Sequence, residues 1–206
     1  MSFNRYVTRL STPGLLLILL ACAPEGLLSA ATRSPESIVR EYISAKDREA
    51  KLAMLSPDYR IWFGKREGPG MTKPEAARML EWDFALNPRH RIEEVKVAGR
   101  DVVVRIHEDN DFSLLIGYPG WDAVSTYTVD ESGLITSQLY VPKEGQPDWK
   151  PYLERALPWL REHRAEALAR IYPNNRLSRT SESAREWVKQ LRDWRAATGQ
   201  PDPTRD

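Results

Sequence analysis

The sequence is poor in cysteine, and it lacks the short motifs that mark several large enzyme classes. Cys22 is the single cysteine among 206 residues, so no disulfide can form within the chain. The glycine-rich phosphate loop, the dinucleotide fingerprint and the G-x-S-x-G nucleophile turn are all absent, which argues against the enzymes that use them. The three histidines show no metal-ligand spacing, and we expect neither a metal nor another cofactor.

The chain also lacks a basic block. Its net charge is +1, and this becomes −1 when residues 1–21, with Arg5 and Arg9, are left out. Nucleic-acid binding leaves a basic patch or stripe, so we expect no nucleic-acid partner. Hydrophobic residues make up 41% of the chain, with seven Trp and eight Tyr. This composition predicts a folded domain with either a large aromatic core or a cavity lined by aromatic side chains.

The N-terminal residues have the pattern of a bacterial signal peptide. A basic lead precedes the apolar run Leu15–Ala21, which is shorter than the ~20 residues of a membrane span. Leu19–Cys22 resembles the lipobox of bacterial lipoproteins, in which the signal is cut before a cysteine that becomes lipid-anchored. The alternative is cleavage after Ala31 by ordinary signal peptidase. We therefore expect an exported protein, anchored to the cell envelope through Cys22 or, alternatively, periplasmic or secreted, with no other contact to the membrane.

Two periodicities divide the remainder of the chain. Apolar residues at helical spacing predict two short helices before residue 56 and a third that begins at the Thr72/Glu75 capping box. From Arg91 to Val141 the period is two, which predicts antiparallel strands, with Phe112–Ile116 in one of them. Helices followed by strands predict an α+β fold. The expected organisation is a signal peptide at 1–21, a tether at 22–33, an α+β domain at 34–142 and a helical C-terminal extension at 143–206.

The helical extension carries apolar stripes that need a partner surface. Leu157, Leu160, Leu168 and Ile171 form one stripe, and a second follows in the last helix. We expect these stripes to pack on the outside of the sheet. The alternative is a contact between two copies of the chain in a homodimer.

Three segments resemble the nuclear transport factor 2-like superfamily, which includes ketosteroid isomerases and SnoaL-like polyketide cyclases. Ser37–Ile43 resembles the first helix of that superfamily, Leu52–Trp62 its second helix and first strand, and Val124–Ile135 its closing hairpin. The resemblance implies a curved antiparallel sheet wrapped on three N-terminal helices, forming a cone whose hollow end is often a ligand pocket.

The resemblance also suggests candidate catalytic residues. It places Tyr42 at the phenol position of the ketosteroid isomerase oxyanion hole and Asp122 at the position of the protonated acid. The proton-shuttling carboxylate would fall at Phe63, which cannot accept a proton. His107, on a strand, is either a base near neutral pH or a structural histidine, and Tyr42 and Asp122 likewise have structural alternatives.

Four aromatic residues, Trp62, Trp82, Tyr127 and Tyr140, either line a cavity or fill the core. The expected function is a cell-envelope module that binds a small apolar ligand or a partner segment without catalysis. The alternative is an isomerase, cyclase or dehydratase-like enzyme acting on a carbonyl compound. A carboxylate or imidazole with a shifted pKa facing the cavity favours the enzyme. A third hypothesis is a structural module whose tail helices mediate assembly.

Overall fold

The computed structural model describes residues 33–205, and its first elements are two short helices. Helix α1 (Pro35–Ser44) begins at Ser34, whose side chain accepts a hydrogen bond from the Ser37 backbone N–H. Helix α2 (Arg48–Ala53) begins in the same way at Asp47. Both helices were predicted. The predicted signal peptide, cleavage sites and Cys22 lie outside the described residues, as does nearly all of the tether.

A six-stranded, curved and unclosed sheet follows, which confirms the α+β class. The strand order is β2-β1-β6-β5-β4-β3. All neighbours are antiparallel except β1 and β6, which run parallel because a long connection joins them rather than a hairpin. Register shifts interrupt three of the strand pairs, and irregularities of this kind bend a sheet. The strands are β1 (Leu55–Phe63), β2 (Met71–Thr72), β3 (Arg89–Ala98), β4 (Asp101–Asp109), β5 (Trp121–Val129) and β6 (Ile135–Pro142).

Alternate residues of the strands form the core on the concave face of the sheet. On β4, Val102, Val104 and Ile106 are buried, and helix α1 packs against β3, β4 and β5. Tyr42 of α1 meets Tyr127 of β5 edge to face, with ring centroids 5.7 Å apart. The alternation predicted for β4 is therefore confirmed.

Two helices lie between strands. Helix α3 (Lys73–Ala85) has the predicted capping box, in which the Glu75 carboxylate accepts from the Thr72 backbone N–H at 2.7 Å. The predicted strand at Phe112–Ile116 is wrong, because this segment is helix α4 (Asp111–Ile116). The Asn110 side chain accepts from the Ser113 N–H, and the Ser113 hydroxyl accepts from the Asn110 N–H. These reciprocal bonds begin a helix despite the β-favouring side chains.

The C-terminal extension packs on helices α3 and α4, which corrects the prediction that it lies on the outside of the sheet. If the segment of α4 were a strand, the apolar side chains on its buried face would have belonged to the sheet. Trp187 is fully buried there, with its ring 5.6 Å from those of both Phe112 and Tyr172. No helix within residues 33–205 is long and apolar enough to cross a membrane. The helices of the extension are α5 (Lys150–Glu154), α6 (Leu157–His163), α7 (Ala165–Ile171) and α8 (Ser181–Ala197).

Candidate functional site

A cavity of about 340 Å³ lies where the sheet meets the helices. Small-molecule sites span roughly 300–1,000 Å³, so this one suits a compact ligand. The sheet and helices α1, α2 and α3 supply most of the wall. The C-terminal extension completes it with Trp149, Leu177 and Arg179. The extension thus forms part of the wall and does not fill the cavity.

Three of the four predicted aromatic residues line this cavity, namely Trp82, Tyr127 and Tyr140. Trp62 does not, contrary to the prediction. Successive side chains of a strand point to opposite faces, and its neighbours Ile61 and Phe63 are the β1 residues that line the cavity. The Trp62 indole N–H instead donates to the Gly68 carbonyl at 3.2 Å.

The predicted catalytic residues are separated by the sheet. Tyr42 lines the cavity, whereas His107 and Asp122 do not. His107 Nδ1 and Asp122 Oδ1 lie 2.7 Å apart on neighbouring strands, and this hydrogen bond lowers the pKa of Asp122. Lys143 Nζ lies 3.3 Å from the other Asp122 oxygen. The three predicted groups therefore do not form one site, and His107 is not a base in the cavity.

A different polar group, which the sequence analysis missed, does face the cavity. It consists of Asp83 from α3, His90 from β3 and Glu108 from β4. His90 and Glu108 are direct partners in the β3–β4 ladder, with His90 Nε2 3.6 Å from Glu108 Oε1. The Tyr140 hydroxyl donates to the other Glu108 oxygen at 3.2 Å. The predicted strands begin at Arg91, but β3 begins at Arg89 and therefore includes His90.

Burial shifts the pKa of each of these groups in the direction that favours the neutral form of the group. Burial, reinforced by the Glu108 charge, raises the pKa of Asp83 to about 7. Burial also raises the pKa of Glu108, against the opposing effects of the Lys51 charge and the Tyr140 hydrogen bond. The pKa of His90 falls to about 4 because of burial and the nearby Lys51 charge, so His90 is neutral at pH 7. Glu108 keeps 31% of its side-chain surface accessible, and because it lines the cavity, a ligand there can reach it.

A buried lysine completes the polar group. Lys51 of α2 is 6% exposed and lines the cavity. Its Nζ lies 4.7 Å from the centroid of the Tyr42 ring and 5.8 Å from that of Phe84. Cation–π contacts of this kind stabilise an ammonium that has left water. Burial nevertheless lowers the pKa of Lys51, even though the charges of Glu108 and Asp83 act to raise it.

A buried hydrogen-bond chain fixes two residues of the cavity wall, Tyr127 and Gln138. The Tyr59 hydroxyl donates to Gln138 Oε1 at 2.8 Å. Gln138 Nε2 donates to Ser125 Oγ at 3.1 Å and to the Tyr127 hydroxyl at 3.3 Å. Because each group has a partner, the aromatic side chains Tyr59 and Tyr127 are held in fixed positions.

The sequence did contain signals for two of the missed residues. Glu108 continues the buried series Val102, Val104 and Ile106 at a spacing of two, so it belongs to the inner face of β4. Asp83 lies three residues after buried Leu80 on the inner face of α3. A carboxylate on an apolar face is costly to bury, which is itself an indication of a functional group.

The arrangement resembles an acid–base site more than a metal site. Among residues 33–205, no group of three or more His, Cys, Asp and Glu side chains is placed to hold a metal ion. Two carboxyl groups that face one cavity and have raised pKa values can instead act as proton donor and proton acceptor. The surrounding apolar and aromatic surface suits the remainder of a small organic molecule.

No protein-family profile matches the chain, and neither does any curated protein. Solved structures do match part of it. One is an NTF2-like protein of unknown function from Cytophaga hutchinsonii, with 17% identity over 58% of this chain and 95% of that one and a TM-score of 0.42. Another is SalBIII, described as an epoxide hydrolase/cyclase-like enzyme in pyran ring formation in the polyether salinomycin, with 16% identity over 54% and 92% and a TM-score of 0.47.

A third match is a Mycobacterium tuberculosis protein in complex with estradiol-17beta-hemisuccinate, with 21% identity over 52% and 93% and a TM-score of 0.42. The Cytophaga hutchinsonii protein is described as NTF2-like, which is the name of the superfamily that the sequence pattern resembles. Similarity at this level does not assign the chain to a family, and it assigns no activity.

Proposed function

We propose that the protein holds a small, mainly apolar molecule in this cavity and moves a proton on it, with Asp83 and Glu108 as the acid–base pair. One observation carries the proposal: two carboxyl groups with raised pKa values face the same apolar cavity. This favours the enzyme hypothesis over binding without turnover. Isomerisation, cyclisation and dehydration of a carbonyl compound all need a proton to be removed and another delivered.

The two carboxyl groups suit different roles. With a pKa of about 7, Asp83 is populated in both its protonated and ionised forms at neutral pH, which suits a proton donor to the carbonyl oxygen. Glu108 accepts a hydrogen bond from Tyr140 and is near the Lys51 charge, and both favour its ionised form. Glu108 is therefore the base that removes a proton from the carbon next to the carbonyl. Because the two groups interact, their protons titrate as a pair.

The proposal is tested by proton exchange into a simple ketone. The purified protein is mixed with cyclohexanone in D2O, and deuterium incorporation next to the carbonyl is followed by NMR. Binding is measured in parallel by the quenching of tryptophan fluorescence. We expect exchange in the wild type, and a loss of about 10²–10⁴ in rate in Asp83→Asn and Glu108→Gln with binding retained.

Asp122→Asn is the matched control, because Asp122 is a carboxylate that hydrogen-bonds to a histidine but lies off the cavity. It should leave exchange unchanged. A wild type that binds ketones and never exchanges their protons would instead support a binding module without turnover.

We also propose that the protein is exported and anchored through Cys22. The support is the basic lead, the short apolar run and the placement of the single cysteine after Leu19-Leu20-Ala21. Metabolic labelling of the full chain with a fatty acid tests this. Label on the wild type and none on Cys22→Ser is expected. A mature protein that begins at residue 32 and carries no label would show ordinary cleavage and release.

A further inference from the structure

The proposed proton transfer uses Lys51 only as a positive charge near Glu108, although this side chain is placed unusually for a lysine. It is 6% exposed, and lysines are rarely buried unless they are paired with an acid. Within residues 33–205, no carboxylate oxygen lies within the 4.0 Å of an ion pair from Lys51 Nζ. The nitrogen is held over aromatic rings instead, and both of those rings line the cavity.

We infer that Lys51 is a nucleophilic amine that forms a Schiff base with aldehydes or ketones entering the cavity. This inference rests on the same cavity and the same two carboxyl groups as the proposed function, but it does not require proton exchange on a bound ketone. Three observations support it: the nitrogen is at the cavity wall, it has no ion-pair partner there, and two carboxyl groups face the same space. Lysines become nucleophilic in this way when a hydrophobic pocket desolvates them.

The steps balance with groups already in the cavity. The neutral Lys51 Nζ adds to the carbonyl carbon, and the C=O π electrons move to oxygen, which takes a proton from the Asp83 carboxyl. The resulting cationic carbinolamine loses a proton from nitrogen to Glu108. Glu108 returns this proton to the hydroxyl, which leaves as water while the nitrogen lone pair forms the C=N bond. The iminium nitrogen then gives its remaining proton to the Asp83 carboxylate. One amine and one carbonyl compound thus give one imine and one water.

Environment explains why Lys51 should react before other lysines. Burial lowers its pKa, so more of it is neutral at pH 7 than of an ordinary lysine. The nearby charges of Glu108 and Asp83 act to raise that pKa, and the Lys46 charge acts to lower it. By contrast, Lys46, Lys65 and Lys143 are exposed to solvent.

The experiment traps the imine by reduction. The folded protein is incubated at pH 7 with benzaldehyde and cyanoborohydride, which supplies the hydride, and peptide mass spectrometry locates the benzylated lysines. We expect the labelled fraction of Lys51 to exceed the mean of Lys46, Lys65 and Lys143 by at least about threefold. Equal or lower labelling of Lys51 would overturn the proposal.

Two variants make the result specific. Lys51→Arg keeps the positive charge but cannot form an imine, so the excess label should vanish. Lys46→Arg, five residues away and outside the cavity, should keep it. The mapping in the wild type decides the question even if Lys51→Arg does not fold. Because the label is read without any turnover, failure here is distinguishable from failure of ketone exchange, and labelling with no exchange would support Lys51 alone.

Discussion

Replacing Asp83 with Asn should stabilise the protein at alkaline pH, because the folded state has to hold a carboxylate in a poorly solvated place. The pKa of Asp83 rises from 3.8 in the unfolded chain to about 7 in the fold. Between these values the folded state binds more protons than the unfolded state, so the free energy of unfolding falls as pH rises. Linkage over the two pKa values gives a loss of about 2.6 kcal/mol between pH 5 and pH 8.

Asp83 is not fully buried, and solvent screens part of its charge, so we expect a loss of about 1–3 kcal/mol in the wild type. The side chain at position 83 of Asp83→Asn cannot ionise. The free energy of unfolding of this variant should therefore fall less than that of the wild type between pH 5 and pH 8, by the same amount. Three charged groups act on Asp83, namely Glu108, which raises its pKa, and Lys51 and Arg179, which lower it.

Urea denaturation at pH 5 and pH 8 measures the effect. His90 contributes with the opposite sign, since its pKa of about 4 lies below the ordinary 6.5, so its contribution rises with pH over that interval. Both proteins contain His90, and the comparison between them removes its contribution. Asp58→Asn, at an exposed aspartate, is the control and should show no pH-dependent difference from the wild type. Equal destabilisation of Asp83→Asn at both pH values would refute a buried, ionisable Asp83.

Three further substitutions test other parts of the structure. Tyr140→Phe removes the hydrogen bond that lowers the pKa of Glu108, so the pH midpoint of ketone exchange should move upward; an unchanged pH–rate profile would contradict the role of Glu108 as the base. Trp187→Ala should lower the free energy of unfolding by about 3–5 kcal/mol in urea, because the ring is fully buried in the helical core. Asn110→Ala should cost about 1 kcal/mol in the same assay through the lost cap of α4, and no change there would contradict the capping box.

Most of the fold could be predicted from local sequence patterns. The capping box at Thr72 and the alternation along β4 depend on neighbouring residues, so both could be found in the sequence alone. Segment Phe112–Ile116 was misassigned because its side chains favour strands, while two short side chains, Asn110 and Ser113, decide the backbone. Because α4 was not predicted, the surface on which the extension packs was not predicted either.

The candidate site was less predictable because it is assembled from distant segments. Lys51, Asp83 and Glu108 come from two helices and one strand that no local pattern links. The position of Glu108 in the alternation of β4 places it on the inner face, but alternation alone does not show that this face borders a cavity. The burial of Lys51 depends on helix α2 packing against α3, which a sequence pattern six residues long does not reveal.

The C-terminal extension is part of the fold that maintains the cavity, and this makes a prediction about its removal. It covers Phe112, Leu115 and Ile116, which are at most 3% exposed, and each such side chain contributes about 1.5–3 kcal/mol when buried. Uncovering all three costs about 4.5–9 kcal/mol, which is comparable to the roughly 5–15 kcal/mol that stabilises a whole domain. A chain that lacks residues 147–206 should therefore aggregate on size exclusion and bind no ketone. A monodisperse truncated protein that still binds ketone would show instead that the fold and the cavity do not depend on the extension.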